Sequence, residues 1–143
     1  MIPKKIANSL VLILICISSV SDANEVEKVQ AEIKRCFGNE GISNMLIADC
    51  HGAATNKFVS MIENRMGRIE RLFVLAESKG KSIALTIDEV ILFKSYRERA
   101  IELECRLFGY GFEPGIPMCL SDGYRALAKD MDHLESKIKE LVD

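Results

Sequence analysis

The sequence predicts an all-α protein, a compact disulfide-stapled bundle of about four helices, from three observations. Apolar residues recur every three or four positions along four segments, which is the spacing of amphipathic helices. No run of four to eight residues alternates apolar and polar side chains between turn signals, so no strand is predicted. Apolar residues make up 48% of the 143 residues and charged residues 28%, a balance that permits a buried core.

The first two predicted helices are separated by a glycine-bounded break. One helix is predicted from Glu25 to Phe37, and Gly38-Asn-Glu-Gly41 interrupts it. The next is predicted over roughly Asn44 to Ser78, with Ser43 as its N-cap. Its stripe of apolar positions is broken only by Arg65.

The last two helices lie on either side of an irregular loop. Gly80 ends the second helix, and Thr86-Ile-Asp-Glu89 has the form of a capping box that starts a helix from Ile87 to about Phe108. Three glycines and two prolines predict an irregular segment from Gly109 to Pro117. The final helix, roughly Ser121 to Val142, has the most regular apolar spacing, at Leu120, Tyr124, Leu127, Met131, Leu134, Ile138 and Leu141. Short connections favour antiparallel packing of neighbouring helices.

Residues 1–23 are predicted to be a secretory signal peptide, and residues 24–143 a single helical domain. A basic start precedes an apolar run, and small residues allow cleavage after Ala23 or two residues earlier. The apolar run from Leu10 to Val20 is shorter than the about 20 residues that a membrane-spanning helix needs. No stable membrane insertion is therefore expected after cleavage, and the location is predicted to be periplasmic or secreted.

Charge and cysteine content narrow the classes of function. The whole chain has a net charge of -2, and cleavage after Ala23 leaves 17 basic and 20 acidic residues, so nucleic acid is not an expected partner. The four remaining cysteines are Cys36, Cys50, Cys105 and Cys119, which in an exported domain indicate two disulfides. Three pairings are open, and pairing 36 with 50 and 105 with 119 is favoured because each loop then closes at modest entropic cost.

The order of these features resembles the lysozyme-inhibitor LprI-like family of exported bacterial proteins. The matching residues are Cys36, Ser43-Asn-Met45, Ala48-Asp-Cys50, Asn64, Tyr96-Arg97, Cys105, the Gly/Pro-rich loop, Cys119, Arg125 and Leu127. The match extends from about Cys36 to Leu134. Leu92-Phe93-Lys94 stands where the family often has a Trp, and seven residues separate Tyr96-Arg97 from Cys105. The resemblance implies a helical protein that binds and inhibits lysozyme.

The candidate binding residues lie in and before the irregular loop. Phe108, Tyr110 and Phe112 alternate with glycines inside the segment that a Cys105–Cys119 bridge would close, so their rings would be ordered before binding. The alternative is that these rings cover the core, with Phe108 the first to be buried. Tyr96-Arg97 is the second candidate, although Arg97 lies on an apolar stripe and would there pair with Glu63 or Glu70.

The other charged clusters are predicted to be structural. Arg65, Arg68 and Arg71 are interspersed with Glu63 and Glu70 and are expected on a solvated face. His133 is expected on the surface, and His51 beside Cys50 is not expected to activate a thiolate because that cysteine would be oxidised. No spacing of Cys or His residues predicts a metal site.

The predicted function is that of an exported binding protein, an inhibitor or modulator of lysozyme-type cell-wall hydrolases. No catalytic constellation and no cofactor motif is recognised, so the chain is not expected to be an enzyme. The alternative is an envelope scaffold or protein-interaction module without an enzyme target, which would pair through the apolar seam of the last helix. The sequence leaves open whether the chain forms a homo-oligomer.

Overall fold

The computed structural model describes residues 21–38, 42–109 and 114–143, with side chains described from residue 25 onward. The described residues form four helices, α1 (Ser21–Cys36), α2 (Asn44–Ser78), α3 (Ile87–Phe108) and α4 (Gly115–Val142). No strand occurs among these residues, and the predicted all-α bundle is confirmed. Most of the predicted signal peptide lies outside the described residues.

The long helices α2 and α4 form the centre of the bundle and run parallel to each other. His51 lies beside Ser121 at one end of the pair, and Lys79 and Lys81 both donate to the carbonyl oxygen of Val142 at the other. Consecutive helices are antiparallel, as expected, while the most extensive contact joins α2 and α4. α1 and α3 pack against this central pair and position the surfaces described below.

The core lies mainly between the facing apolar stripes of α2 and α4. Its side chains with 2% exposure or less include Phe58, Ile62 and Ile69 of α2 and Leu127, Met131 and Ile138 of α4. α1 adds Val26, Val29 and Ile33, whereas α3 adds Val90, Ile101 and Cys105. Gly123 lets α3 approach α4 closely, since a Cβ there would lie 2.5 Å from Cγ2 of Ile101.

Arg65 is not on a solvated face, contrary to the sequence prediction. It is 1% exposed, because its place on the apolar stripe of α2 turns it toward α4. Its Nη1 donates to the carbonyl oxygen of Ala128 over 2.7 Å, and its Nη2 lies 3.2 Å from Oδ1 of Asp132. Arg68 likewise reaches α4, where it donates to both carboxylate oxygens of Glu135. The two arginines therefore join α2 to α4.

The predicted caps of α2 and α3 are confirmed. The hydroxyl of Ser43 accepts from the backbone N–H of Leu46. Thr86 and Glu89 form the reciprocal bonds of a capping box. α2 ends at Ser78, and Gly80 two residues later turns the chain with a φ of 66°, in the left-handed region. The N–H of Lys81 returns to the carbonyl oxygen of Ala76. That pairing satisfies carbonyls which the helix end would otherwise leave unbonded.

Two predicted boundaries were wrong at the helix starts, and one seam position was wrong. α4 begins at Gly115, six residues before the predicted Ser121, and Pro117 lies in its first turn. A proline is tolerated there because first-turn N–H groups have no partner within the helix. α1 begins at Ser21 rather than Glu25. At the far end of the seam Leu141 is 60% exposed, and Val142 is buried instead.

Candidate protein-binding surface

Both disulfides lie at one end of the bundle, which we call the disulfide end. Cys36 at the end of α1 is bonded to Cys50 near the start of α2, with Cα atoms 5.8 Å apart. Cys105 near the end of α3 is bonded to Cys119 in the first turns of α4, with Cα atoms 5.4 Å apart. The favoured local pairing is confirmed, and all four helices meet a bridge at this end.

A buried hydrogen bond joins the two bridged halves of the disulfide end. Nδ1 of His51 lies 2.5 Å from Oγ of Ser121, and that hydroxyl donates to the carbonyl oxygen of Met118 over 3.0 Å. His51 is 8% exposed and Ser121 is 1% exposed. Burial lowers the pKa of His51, while the negative charge of Asp122 opposes that shift. Because Ser121 is buried, its Oγ is not accessible to a substrate, and the role of the pair is to hold α2 and α4 together.

α3 is apolar on both of its sides. Its buried side carries Val90, Ile101 and Cys105. The opposite side carries Leu92, Tyr96, Leu103 and Leu107, which are 69%, 68%, 60% and 64% exposed. At 3.6 residues per turn these four positions fall within a sector of about 60°, so they form one line along the helix, which we call the outer stripe. A helix at the surface of a globular protein ordinarily has a polar outer face.

The outer stripe runs toward the disulfide end, where more large apolar side chains are exposed. Phe108 ends α3 and is 83% exposed, so the prediction that it would be buried first was wrong. Ile42 and Met45, at the start of α2 on the same end of the bundle, are 63% and 75% exposed.

The structure separates the candidates Tyr96 and Arg97. Tyr96 is 68% exposed and belongs to the outer stripe. Arg97 lies at the edge of the α3–α4 contact, and its Nη2 is 3.7 Å from Oδ2 of Asp130. The predicted partners Glu63 and Glu70 were wrong, because Glu63 pairs with Lys94 over 2.7 Å. Asp130 is the nearer carboxylate since α3 packs against α4 far more than against α2.

The other two candidates, Tyr110 and Phe112, lie outside the described residues. Their role in binding and the alternative that they cover the core both stay predictions. The ends of their segment are fixed by the Cys105–Cys119 bridge, and Pro114 beyond the segment is buried.

Sequence reasoning missed Leu92, Leu103 and Leu107 as surface residues. The signal was present, because the spacing Leu92, Tyr96, Leu103, Leu107 repeats by four and seven residues. α3 contains a second apolar stripe through Val90 and Ile101. Periodicity shows which residues lie on the same side of a helix. It does not show which of two apolar sides is buried, because that depends on where α4 packs.

An apolar groove lies between α3 and α4, beside the buried face of α3. Its volume is about 540 Å³, and its lining residues include Leu85, Val90, Phe93 and Leu134. His133 is exposed at its rim, as predicted for a surface histidine. Across the described ranges, no three His, Cys, Asp or Glu side chains are grouped in a way that would hold a metal ion.

None of the four described helices combines the length and the apolar character needed to cross a membrane. No family model matches the chain, and comparisons with curated proteins and with solved structures also find no match.

Proposed function

We propose that this chain is an exported binding protein which inhibits or modulates a lysozyme-type cell-wall hydrolase, and that the outer stripe contacts the hydrolase. The observation that supports binding is the exposure of Leu92, Tyr96, Leu103 and Leu107 in one line, opposite the buried side of the same helix. Contiguous exposed apolar surface of this kind marks sites of protein association more often than single exposed side chains do.

The outer stripe is suited to binding because its backbone is already ordered in the free protein. The helix is capped by Thr86 and Glu89 at its start and bridged by Cys105 to Cys119 near its end. A rigid surface loses little conformational entropy on association. Tyr96 offers a large ring with a polar hydroxyl, the type of side chain that contributes most at the centres of interfaces.

The choice of target rests on the resemblance to LprI-like proteins and on charge. Lysozymes are commonly basic, and the chain after cleavage at Ala23 has three more acidic than basic residues. Opposite net charges raise the rate of diffusional encounter. Location in the periplasm or outside the cell is supported by the predicted signal peptide and by two disulfides, which persist in oxidising compartments.

Inhibition of cell-wall turbidity loss, titrated with purified protein against several lysozymes, tests the proposal. The double variant Tyr96→Ser with Leu103→Ser should weaken inhibition by about 2 kcal/mol or more, which is roughly thirtyfold in affinity. Its thermal melt should match the wild type, because both side chains are exposed. Val74→Ser is the matched control, since Val74 is 68% exposed on α2 and lies outside the outer stripe.

Each outcome of this titration bears on a different part of the proposal. Full inhibition by the double variant would remove the outer stripe as the contact surface. Lack of inhibition of every lysozyme by the wild type would remove the target class and leave the envelope scaffold as the remaining function. The apolar seam of α4, which suggested that alternative, is occupied within the chain because Leu127, Met131 and Ile138 are buried.

A further inference from the structure

We propose that His51 is a pH-sensitive link that holds the disulfide end closed at neutral pH and loosens it in mild acid. The link consists of the ring of His51 on α2, the hydroxyl of Ser121 on α4 and the carbonyl oxygen of Met118. It is a buried polar connection between the start of α2 and the start of α4. Neither disulfide makes that connection, because one joins α1 to α2 and the other joins α3 to α4.

The hydrogen-bond pattern assigns the tautomer of the neutral ring. Ser121 has one hydroxyl hydrogen, which it donates to Met118, so Nδ1 of His51 is the donor to Ser121 and Nε2 of the neutral ring has no hydrogen. Acid adds a proton at Nε2. The Nδ1 bond tolerates that change, but the ring then holds a full positive charge while it is 8% exposed.

The surroundings of the ring compensate for such a charge only in part. From α1, the ring of Phe37 lies with its centroid 6.0 Å from that of His51. From α4, the charged group that acts on the ring is Asp122, and Arg125 partly neutralises it from 3.2 Å. Burial is the larger effect and lowers the pKa of His51 below the ordinary value of 6.5. The charged ring has a lower free energy in water than in this buried position. Its movement into water would separate α2 from Ser121.

The sign of the pH effect follows from linkage. Because the pKa of His51 is lowered in the folded state, the unfolded chain binds more protons below pH 6.5. Folding stability from this site is therefore fully present above pH 6.5 and is lost as the pH falls toward the folded pKa. Glu32 and Glu89 also have lowered pKa values, caused chiefly by bonds from Lys57 and Thr86, and their effects belong near and below pH 4.5.

Nuclear magnetic resonance of the oxidised protein tests the link directly. The chain has two histidines, His51 and the exposed His133, so their ring signals are assigned by the variant His133→Gln. The ring of His51 should titrate with a midpoint below 6.5. A midpoint at or above 6.5 would overturn the proposal.

Stability between pH 7.5 and 5.5 provides the second test. The urea midpoint of the wild type and of His133→Gln should shift to lower concentration as the pH falls, and amides of residues 118–124 should lose protection against hydrogen exchange. In His51→Gln both changes should be smaller. Equal pH dependence in His51→Gln and wild type would contradict the link. Should His51→Gln not fold, the wild-type titration and the exchange of residues 118–124 decide the question alone.

The consequence for binding rests on the proposed function. Acid should weaken inhibition by the wild type more than inhibition by His51→Gln, since the outer stripe ends at the disulfide end. The titration and the urea experiment need no hydrolase, so failure of the lysozyme target and failure of the His51 link are separate results.

Discussion

A buried charge lies in the central interface of the bundle. The guanidinium of Arg65 is 1% exposed, donates to the carbonyl oxygen of Ala128 and pairs with the carboxylate of Asp132. Asp132 is 32% exposed, so one member of the ion pair keeps some contact with water. A buried cation is tolerated only when its charge and hydrogen-bond donors are matched, and Asp132 supplies the charge.

Removing Asp132 should therefore lower the free energy of unfolding more than removing a surface carboxylate does. Asp132→Ala leaves Arg65 buried without its counter-charge and should lower the free energy of unfolding by about 2 kcal/mol, less than for a fully buried pair because water reaches Asp132. Glu140→Ala is the control, since Glu140 pairs with Lys137 on the exposed face and should change stability by less than about 1 kcal/mol. Urea unfolding measures both, and equal losses would mean that Asp132 does not stabilise Arg65.

The elements of the bundle differ in how much of their apolar surface is buried. Along α4, Leu127 is 0% exposed, Leu134 is partly exposed and Leu141 is 60% exposed. The sequence pattern makes the three positions equivalent, since each continues the same three- and four-residue spacing. They differ because positions seven residues apart drift by about 20° around a straight helix. Leu141 has therefore moved off the buried face, while Ile138 and Val142 stay on it.

This gradient predicts a graded response to a charged substitution. Leu127→Asp buries an unpaired carboxylate and should cost about 4 kcal/mol or more, enough to unfold a marginally stable domain. Leu134→Asp should lower the melting temperature less, because its carboxylate turns toward the groove between α3 and α4. Melts of the two variants by circular dichroism compare them. A larger loss for Leu134→Asp would show that the end of α4 is covered in solution.

The sequence predicted correctly those features of the helices that depend on neighbouring residues alone. The caps at Ser43 and Thr86 and the glycine turn at Gly80 that follows α2 depend on a few adjacent residues, and all three were found as predicted. The start of α4 was not predicted, because glycine and proline weaken a helix without forbidding its first turn. The outer stripe of α3 depends on which partner helix lies nearby, and that information is spread over the whole chain.

The whole molecule is asymmetric along its length. The α2–α4 pair is continuous from His51 and Ser121 to Lys81 and Val142, whereas α1 covers only its half next to the disulfide end. From residue 25 onward, α1 contributes three buried apolar side chains. A hydrogen bond from Arg125 to Gln30 and the Cys36–Cys50 bridge also hold it. Elements with few buried contacts open at lower free energy than the rest of a domain. α1 is therefore expected to open as a separate unit once its bridge is removed.

Two variants that each lack one bridge test this expectation. The bridges join residues 14 positions apart in both cases, so each should contribute a similar stabilisation, on the order of 3 kcal/mol. The location of the loss should differ. Cys36→Ala with Cys50→Ala should raise hydrogen exchange in residues 25–36 while residues 58–69 stay protected, because α1 is then held by packing alone. Cys105→Ala with Cys119→Ala should instead raise exchange in residues 101–109 and 114–121. A uniform increase along the chain in both variants would mean that the four helices open together, and α1 would then be as integral to the core as α2 and α4.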